Sequence, residues 1–220
     1  MKGVIFDFNG TMLFDSDKQE KAWRMYIKKM IGRDVSDEEF KERVHGRNNS
    51  DILEYFSGKK LTEQEIDEMG EEKEVIYRRL CLEDKENFKL VEGVEELLNY
   101  LKENNIPFTI ATASGRKNVE FFFENLNLDK WFNLERVVYS DGTIKGKPNP
   151  DIYLKAAEII NMAPKDCLVF EDAKSGIIAA ERAGIGKIIA IASTSEPEYF
   201  NDIKAVSKVI RDFTGFKDYI

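Results

Sequence analysis

Five short apolar runs constrain the fold of this chain most, because each has the length and composition of a buried β-strand. None of them alternates polar and apolar residues, which is typical of strands that are covered on both faces of a parallel sheet. Segments with helical periodicity separate the later runs. This alternation predicts an α/β fold with a doubly wound parallel sheet and right-handed crossovers. The runs are GVIFDF (3–8), PFTIAT (107–112), ERVVYS (135–140), CLVFED (167–172) and KIIAIA (187–192).

The segment from residue 15 to residue 88 differs in character from the rest of the chain. It is rich in Glu and Lys, it has helical periodicity, and it contains no convincing strand. Breaks near 32–34, 45–48 and 57–59 divide it into four predicted helices. We therefore predict a helical cap domain at 15–88, inserted into a core that residues 1–14 and 89–220 form.

Charge and composition exclude several classes of function. The net charge is −8 and the pI is near 5.0, so nucleic acid and anionic membranes are unfavourable partners. No run of about 18 apolar residues is present to span a membrane, and the N-terminal residues lack a signal segment. Cys81 and Cys167 are expected to be reduced thiols of a cytoplasmic protein. The single histidine, His45, excludes a multi-histidine metal site.

Polar residues follow four of the predicted strands, at the edge where open parallel sheets bind ligands. Each group alone could be a helix cap or a turn. Together they would bring three carboxylates and a lysine to one edge, which indicates a functional site. The groups are Asp7 with Asn9-Gly10-Thr11, Thr112-Ala113-Ser114, Lys145-Gly146-Lys147-Pro148, and Glu171-Asp172.

Three motifs resemble those of the haloacid dehalogenase superfamily, in particular the branch of β-phosphoglucomutase and the small sugar phosphatases. They are FDFNGTM (6–12), GKPNPDIY (146–153) and VFEDAKSGIIAAERAG (169–184). The resemblance covers nearly the whole chain, and the helical insertion after the first motif is similar to the cap of that branch. It implies a Rossmannoid core of the haloacid dehalogenase type with an inserted helical-bundle cap.

The resemblance also implies a role for each polar group at the strand ends. Asp7 is expected to be the nucleophile that takes up the phosphoryl group. Thr112 would donate a hydrogen bond to the transferring phosphate. Lys147 would neutralise the charge of both, with Lys145 as the alternative. Backbone and side-chain groups of four more residues would contact the phosphate, namely Gly10, Thr11, Ala113 and Ser114.

A magnesium ion is the cofactor that the resemblance implies. Its expected ligands are Asp7, the acidic pair Glu171 and Asp172, and the backbone carbonyl of Asn9. A carboxylate that attacks a phosphate dianion faces charge repulsion, and a hard cation held by oxygen atoms relieves it. We therefore predict a Mg²⁺-dependent, phosphatase-like hydrolase of a small phosphorylated metabolite.

Asn9 departs from the pattern of the family. Phosphatases and phosphomutases of this family carry an aspartate two residues after the nucleophile, where it protonates the leaving group and then activates water. An amide does neither, and general acid–base catalysis contributes about 10²–10⁴-fold. Three explanations stay open: a slow natural phosphatase suited to good leaving groups, an engineered substitution, or a phosphate-binding protein that no longer turns over.

The alternatives to a phosphatase include other functions of the same scaffold. A degenerate hydrolase that binds phosphate or a metabolite is the leading non-enzyme alternative. A phosphomutase is less favoured, since its cap arginine aligns near Asn49 and its hinge histidine near Gln19, although Arg47 is a candidate substitute. A phosphonatase would need a Schiff-base lysine in the cap, and no lysine there stands out.

Four cap residues are predicted to contact the substrate. Gln19 and Trp23 lie on the first predicted cap helix, and Arg47 and Asn49 lie in the loop that follows His45. Trp23 also fits a position in the core of the cap, and Asn49 also fits the N-cap of a helix. The chain is expected to be a monomer or a weak homodimer.

Overall fold

The computed structural model describes residues 2–220. They form two compact units. The larger unit comprises the residues before Asp15 together with Phe88–Ile220, and the smaller unit is Asp15–Asn87. Phe88 belongs to the larger unit, where its ring stacks on Phe121 with centroids 5.3 Å apart.

The smaller unit contains four α-helices joined by loops. They are α1 (Ser16–Ile31), α2 (Asp37–Arg43), α3 (Asn49–Ser57) and α4 (Glu63–Glu83). The predicted breaks coincide with helix ends that have local causes. Gly32 ends α1 in the left-handed conformation with φ of 75°. Asn48 caps α3 by accepting a hydrogen bond from the N–H of Asp51, and Thr62 and Glu65 form a capping box at α4.

The larger unit is built on a parallel sheet of six strands. The order across the sheet is β3-β2-β1-β4-β5-β6. The order reverses at β1, which confirms the predicted doubly wound topology. The strands are β1 (Gly3–Phe6), β2 (Phe108–Gly115), β3 (Val138–Ser140), β4 (Cys167–Glu171), β5 (Lys187–Ile191) and β6 (Lys208–Ile210).

The helices of the larger unit cover the central strands. They are α5 (Val94–Glu103), α6 (Arg116–Leu126), α7 (Asp151–Ile159) and α8 (Lys174–Arg182). Ile5 of β1 belongs to a buried cluster with residues of α7 and α8. Phe6 points to the opposite face, where it stacks on Phe170 at 5.2 Å and contacts Phe213. Burial on both faces explains why these strands do not alternate in polarity.

Two edge regions of the sheet differ from the sequence prediction. The run at 135–140 is a strand only at Val138–Ser140, because a 3₁₀ turn occupies Leu134–Arg136. The side chain of Asn133 accepts a hydrogen bond from the N–H of Glu135 and so favours that turn. The strand Lys208–Ile210 was not predicted, since it is only three residues long and only partly buried at the edge.

No helix within residues 2–220 combines the length and the apolar composition that a membrane span requires.

Candidate active site

The candidate site lies where three neighbouring strands end. β1 pairs with β2 on one side and with β4 on the other, and Phe6 lies level with Ile110 and Phe170. The residues that follow these positions therefore meet at the carboxyl edge of the sheet. Asp7 comes directly after β1, and Asp172 comes directly after β4. This is the edge at which parallel sheets bind ligands.

Lys147 reaches this edge from the loop between β3 and α7. Its ammonium group donates hydrogen bonds to Asp7 Oδ1 at 2.6 Å and to Glu171 Oε1 at 2.9 Å. The side chain of Lys147 is only 8% exposed. Burial opposes its charge, but Asp7 and Glu171 outweigh that effect and raise the pKa of Lys147 well above its ordinary value. Lys147 is therefore a fixed positive charge beside Asp7.

Lys145 does not share this position. It is exposed, and its backbone N–H donates to the carboxylate of Asp151 at 3.3 Å. The geometry therefore favours Lys147 over Lys145 as the cation of the site.

Both carboxylate oxygens of Glu171 have partners in the protein. Oε1 accepts the hydrogen bond from Lys147, while Oε2 accepts from the N–H groups of Asp172 at 2.7 Å and Ala173 at 3.2 Å. Gly176 leaves room for this carboxylate, because a Cβ atom there would lie 1.2 Å from Glu171 Oε1. Glu171 thus orients the lysine, and these contacts favour that task over a direct bond to a metal ion.

Asp172 lies against the loop that follows Asp7. The hydroxyl of Thr11 donates to Asp172 Oδ1 at 3.3 Å. Gly10 has φ of 79°, and a Cβ atom there would lie 2.1 Å from Asp172 Oδ2. Burial, together with the negative charges of Glu171 and Asp7, raises the pKa of Asp172 well above its usual range. A cation at this position would favour the ionised carboxylate.

The acidic side chains fit a divalent cation. One oxygen of each of Asp7, Glu171 and Asp172 lies within 4.8 Å of the other two. The donors are hard oxygen atoms, which suit Mg²⁺ better than a soft metal. Burial is the first cause of the raised pKa of Asp172, and the negative charges of Glu171 and Asp7 add to it beyond what Lys147 offsets. The residues present therefore fit the predicted ion.

Asn9 faces two hydroxyl groups at the end of β2. Ser114 donates to Asn9 Oδ1 at 2.7 Å, and Thr112 lies 3.5 Å from the same oxygen. Thr112 is buried and accepts a hydrogen bond from the N–H of Ser114 at 3.1 Å. The link between Ser114 and Asn9 was not predicted, because Ser114 was interpreted as a phosphate contact or a helix cap.

The remaining predicted phosphate contacts lie at the same edge. The N–H of Gly10 donates to the carbonyl of Leu13 at 2.7 Å, and that of Thr11 donates to the carbonyl of Phe8 at 3.2 Å. The N–H groups of Gly10 and Thr11 therefore already donate to carbonyl oxygens within the loop. Ala113 is exposed within the end of β2.

Sequence reasoning missed Tyr153 as a component of the site. This residue of α7 is fully buried, and its ring centroid lies 5.2 Å from Lys147 Nζ. The cation therefore rests on an aromatic face as well as between carboxylates. The available signal was the position of Tyr153 within the quoted motif GKPNPDIY.

The predicted substrate residues of the smaller unit have different surroundings. Gln19 donates to Asp15 Oδ2 at 3.3 Å and accepts from Lys73 Nζ at 3.0 Å. Trp23 is 8% exposed and packs in the core of that unit. Arg47 and Asn49 are exposed, and Asn48 rather than Asn49 is the N-cap of α3. A role for these four residues in binding substrate stays a prediction.

The fold and the acidic strand edge define a hydrolase with a Rossmannoid core. The sequence model of the family described as haloacid dehalogenase-like hydrolase matches residues 4–190. The chain belongs to the haloacid dehalogenase-like hydrolase family.

Relatives with named functions match along most of their length. A phosphorylated carbohydrates phosphatase of Thermotoga maritima is 30% identical over 210 residues, which cover 94% of this chain and 90% of that protein. A β-phosphoglucomutase of Bacillus subtilis is 33% identical over 195 residues, or 84% of this chain and 81% of that protein.

A solved structure is also similar throughout. The crystal structure of a haloacid dehalogenase hydrolase, family IA, variant 3, from Entamoeba histolytica has a TM-score of 0.91 and 38% identity. The similarity covers 97% of this chain and 94% of that one. The predicted superfamily, fold class and hydrolase activity are confirmed.

Proposed function

We propose that this chain is a Mg²⁺-dependent phosphatase that acts on a small phosphorylated metabolite through an aspartyl-phosphate on Asp7. The contact of Lys147 with both Asp7 and Glu171, at 2.6 and 2.9 Å, carries the proposal. This contact places a fixed cation, Lys147, beside the carboxylate of Asp7 at the ligand-binding edge of the sheet. A phosphorylated sugar is the substrate class that the phosphatase and mutase relatives support.

The ion would be held by Asp7, Asp172 and the backbone carbonyl of Asn9. Glu171 belongs to the same acidic group. It would contribute mainly negative charge and the orientation of Lys147, since both of its oxygens already accept hydrogen bonds. When bound, Mg²⁺ neutralises charge on the phosphate and on the attacking carboxylate.

The side chains of the chain would perform two transfers. In the first, a carboxylate oxygen of Asp7 forms a bond to phosphorus while the bond to the leaving oxygen breaks. Lys147 keeps Asp7 ionised and stabilises charge on the phosphoryl oxygens, and the Thr112 hydroxyl would donate to the same oxygens. In the second transfer, water attacks phosphorus and the carboxylate of Asp7 is restored.

Asn9 is the reason to expect a slow enzyme. The first transfer needs a proton for an alkoxide leaving group, and the second needs a base for water. An amide supplies neither. Turnover of alkyl phosphates should therefore fall short of an ordinary phosphatase by about 10²–10⁴-fold for the missing group.

A phosphate- or metabolite-binding protein is the second candidate. The bonding of Asn9 to Ser114 at 2.7 Å favours it, because the amide then completes a neutral hydrogen-bonding surface without a proton to exchange. A phosphomutase or a phosphonatase finds less support. Arg47 is exposed, and among residues 2–220 no hydrogen bond or ion pair fixes its side chain for a distal phosphate.

The expected location is the cytoplasm. Cys81 and Cys167 are both free and buried, as is usual for thiols in a reducing compartment.

The discriminating experiment measures phosphate release from a panel of phosphorylated sugars, with Mg²⁺ and with a chelator. For a phosphatase, we expect phosphate release that needs Mg²⁺ and that disappears in Asp7→Asn. Asp202→Asn, a change of an exposed aspartate in the same unit, is the matched control and should leave release unchanged. Saturable binding of sugar phosphates without release from any of them would support the binding protein and contradict the phosphatase.

A further inference from the structure

We infer that the phosphorylated form of Asp7 accumulates when the chain turns over an aryl or acyl phosphate, because its hydrolysis is the slow step. This inference rests on the proposed function and deepens it, since it names the substrate class that loads the site. The observation behind it is the position of Asn9 beside the hydroxyls of Ser114 and Thr112.

The groups at this edge that could accept a proton have other tasks. Asp7 itself carries the phosphoryl group, and Glu171 accepts hydrogen bonds at both oxygens. Asp172 accepts from Thr11 and belongs to the acidic group that fits the cation. The single histidine of the chain, His45, lies in the other unit and is exposed. The acidic side chains at this edge are therefore engaged, and the side chain that faces Thr112 and Ser114, Asn9, is an amide that accepts no proton from water.

The two transfers depend on a proton in different ways. During loading, Asp7 forms a bond to phosphorus and the leaving oxygen departs with its electron pair. A nitrophenolate or a carboxylate is stable as that anion, so the choice of donor removes the need for an acid at position 9. During discharge, water forms the bond to phosphorus, the electron pair returns to Asp7, and water must lose a proton. No choice of donor removes this requirement, because the nucleophile is always water.

The missing base therefore penalises discharge for every donor, by about 10²–10⁴-fold. The missing acid penalises loading only for donors with poor leaving groups. Aryl and acyl phosphates should phosphorylate Asp7 quickly, and the phosphorylated Asp7 should then hydrolyse slowly. Alkyl phosphates should phosphorylate Asp7 slowly as well, so a smaller fraction of the chain should be phosphorylated with them.

Rapid mixing with 4-nitrophenyl phosphate and Mg²⁺ tests the inference. We expect a burst of nitrophenolate that approaches one equivalent per chain, followed by a steady phase at least about 100-fold slower. Intact-mass measurement after acid quenching should show one phosphoryl group on the chain, located on the peptide with Asp7. Glucose 6-phosphate, an alkyl phosphate, should give a smaller phosphorylated fraction under the same conditions.

Asn9→Asp sharpens the test. It should accelerate the steady phase by about 10²-fold or more and reduce the burst, because discharge then keeps pace with loading. Asn201→Asp introduces the same change at an exposed position of the same unit and should alter neither phase. The mass measurement on the unaltered chain stands even if Asn9→Asp does not fold.

Linear nitrophenolate release with an unmodified chain mass would overturn the inference and leave the phosphatase intact. An unchanged steady phase in folded Asn9→Asp would overturn it too, since another base would then act. A chain that yields neither phosphate nor a phosphoryl adduct from any donor would instead contradict the proposed function itself.

Discussion

The two units each bury a group of charged side chains, and the two groups differ in charge balance. In the larger unit, one lysine at the strand edge lies between two of three neighbouring carboxylates. In the smaller unit, the buried charged side chains are two lysines, Lys18 and Lys73, and one carboxylate, Asp15, and each of them is hydrogen-bonded. Lys18, 4% exposed, pairs with Asp84 at 3.0 Å and Asp17 at 3.3 Å. Asp15 accepts the Tyr77 hydroxyl at 2.6 Å.

The difference distinguishes a site for a ligand from a structural network. A balanced network lowers the cost of burying its own polar groups and has no need of an added ion. An acidic excess in a buried position is costly unless a cation is supplied. Burial and the neighbouring carboxylates Glu171 and Asp7 raise the pKa of Asp172, which is the electrostatic cost of this excess. The comparison predicts that changes at the strand edge alter chemistry or metal response, while changes in the network alter stability alone.

The largest expected effect is on turnover of alkyl sugar phosphates by Asn9→Asp. The restored carboxylate can protonate the leaving oxygen and then activate water, so the rate should rise by about 10²-fold or more. Steady-state phosphate release checks this. Asn48→Asp makes the same change at the N-cap of α3 in the smaller unit, where aspartate caps as well as asparagine, and should not alter the rate. Equal rates for Asn9→Asp and the unaltered chain would mean that another group supplies the acid.

Lys147→Met should give the next largest effect, on stability. Removing one partner of a buried ion pair costs about 3–5 kcal/mol, because the carboxylates of Asp7 and Glu171 then lose their cation. Denaturant unfolding in a chelator should show this loss. Added Mg²⁺ should recover part of it through binding to the folded state. A free energy of unfolding of Lys147→Met that is equally low with Mg²⁺ and with a chelator would contradict the difference between the two groups.

Tyr77→Phe should have a smaller effect that is confined to stability. It removes the hydroxyl that Asp15 accepts at 2.6 Å, and a hydrogen bond to a charged group contributes about 1.5–3 kcal/mol. The midpoint of denaturant unfolding should fall by a corresponding amount. It should fall equally with Mg²⁺ and with a chelator, since no ion is expected in this network. Dependence of the loss on Mg²⁺ would break the distinction between the two groups.

The smallest expected effect concerns the thiol of Cys81 beside this network. Burial raises its pKa to about 12, so the thiolate is scarce in the folded state at neutral pH. Reaction with a disulfide reagent at pH 8 should therefore be slow until denaturant is added. Because the folded pKa is raised, the protonated thiol favours folding fully below the unfolded value of about 9. That contribution is lost as the pH rises towards 12. Rapid labelling of Cys81 in the folded chain would show that the network is open to water.

The sequence predicted those parts of the fold that continuous patterns determine. The apolar runs that became β1, β4 and β5 are continuous and buried on both faces, so composition alone identified them. The change of pattern at residue 15 marked the start of the helical segment. The short edge strand Lys208–Ile210 was missed because it carries too few buried residues to form a pattern.

The site was predictable only at the level of which side chains converge. Asp7, Lys147 and Asp172 follow strands, so their approach follows from a parallel sheet. The partners of Glu171 were not predictable, since they include the N–H groups of its own neighbours. The bond between Ser114 and Asn9 joins residues 105 positions apart and depends on the path of the backbone after β2. Patterns along the chain carry no information on contacts of that kind.

The absence of a side chain at position 176 has a consequence that reaches the nucleophile. A methyl group there would occupy the space of the Glu171 carboxylate, and Lys147 would lose one of its two anchors. The position of the Lys147 ammonium beside Asp7 thus depends on Gly176 of α8, a residue that has no functional group of its own. Variation among natural relatives should consequently be narrower at this glycine than at the exposed lysine two positions before it.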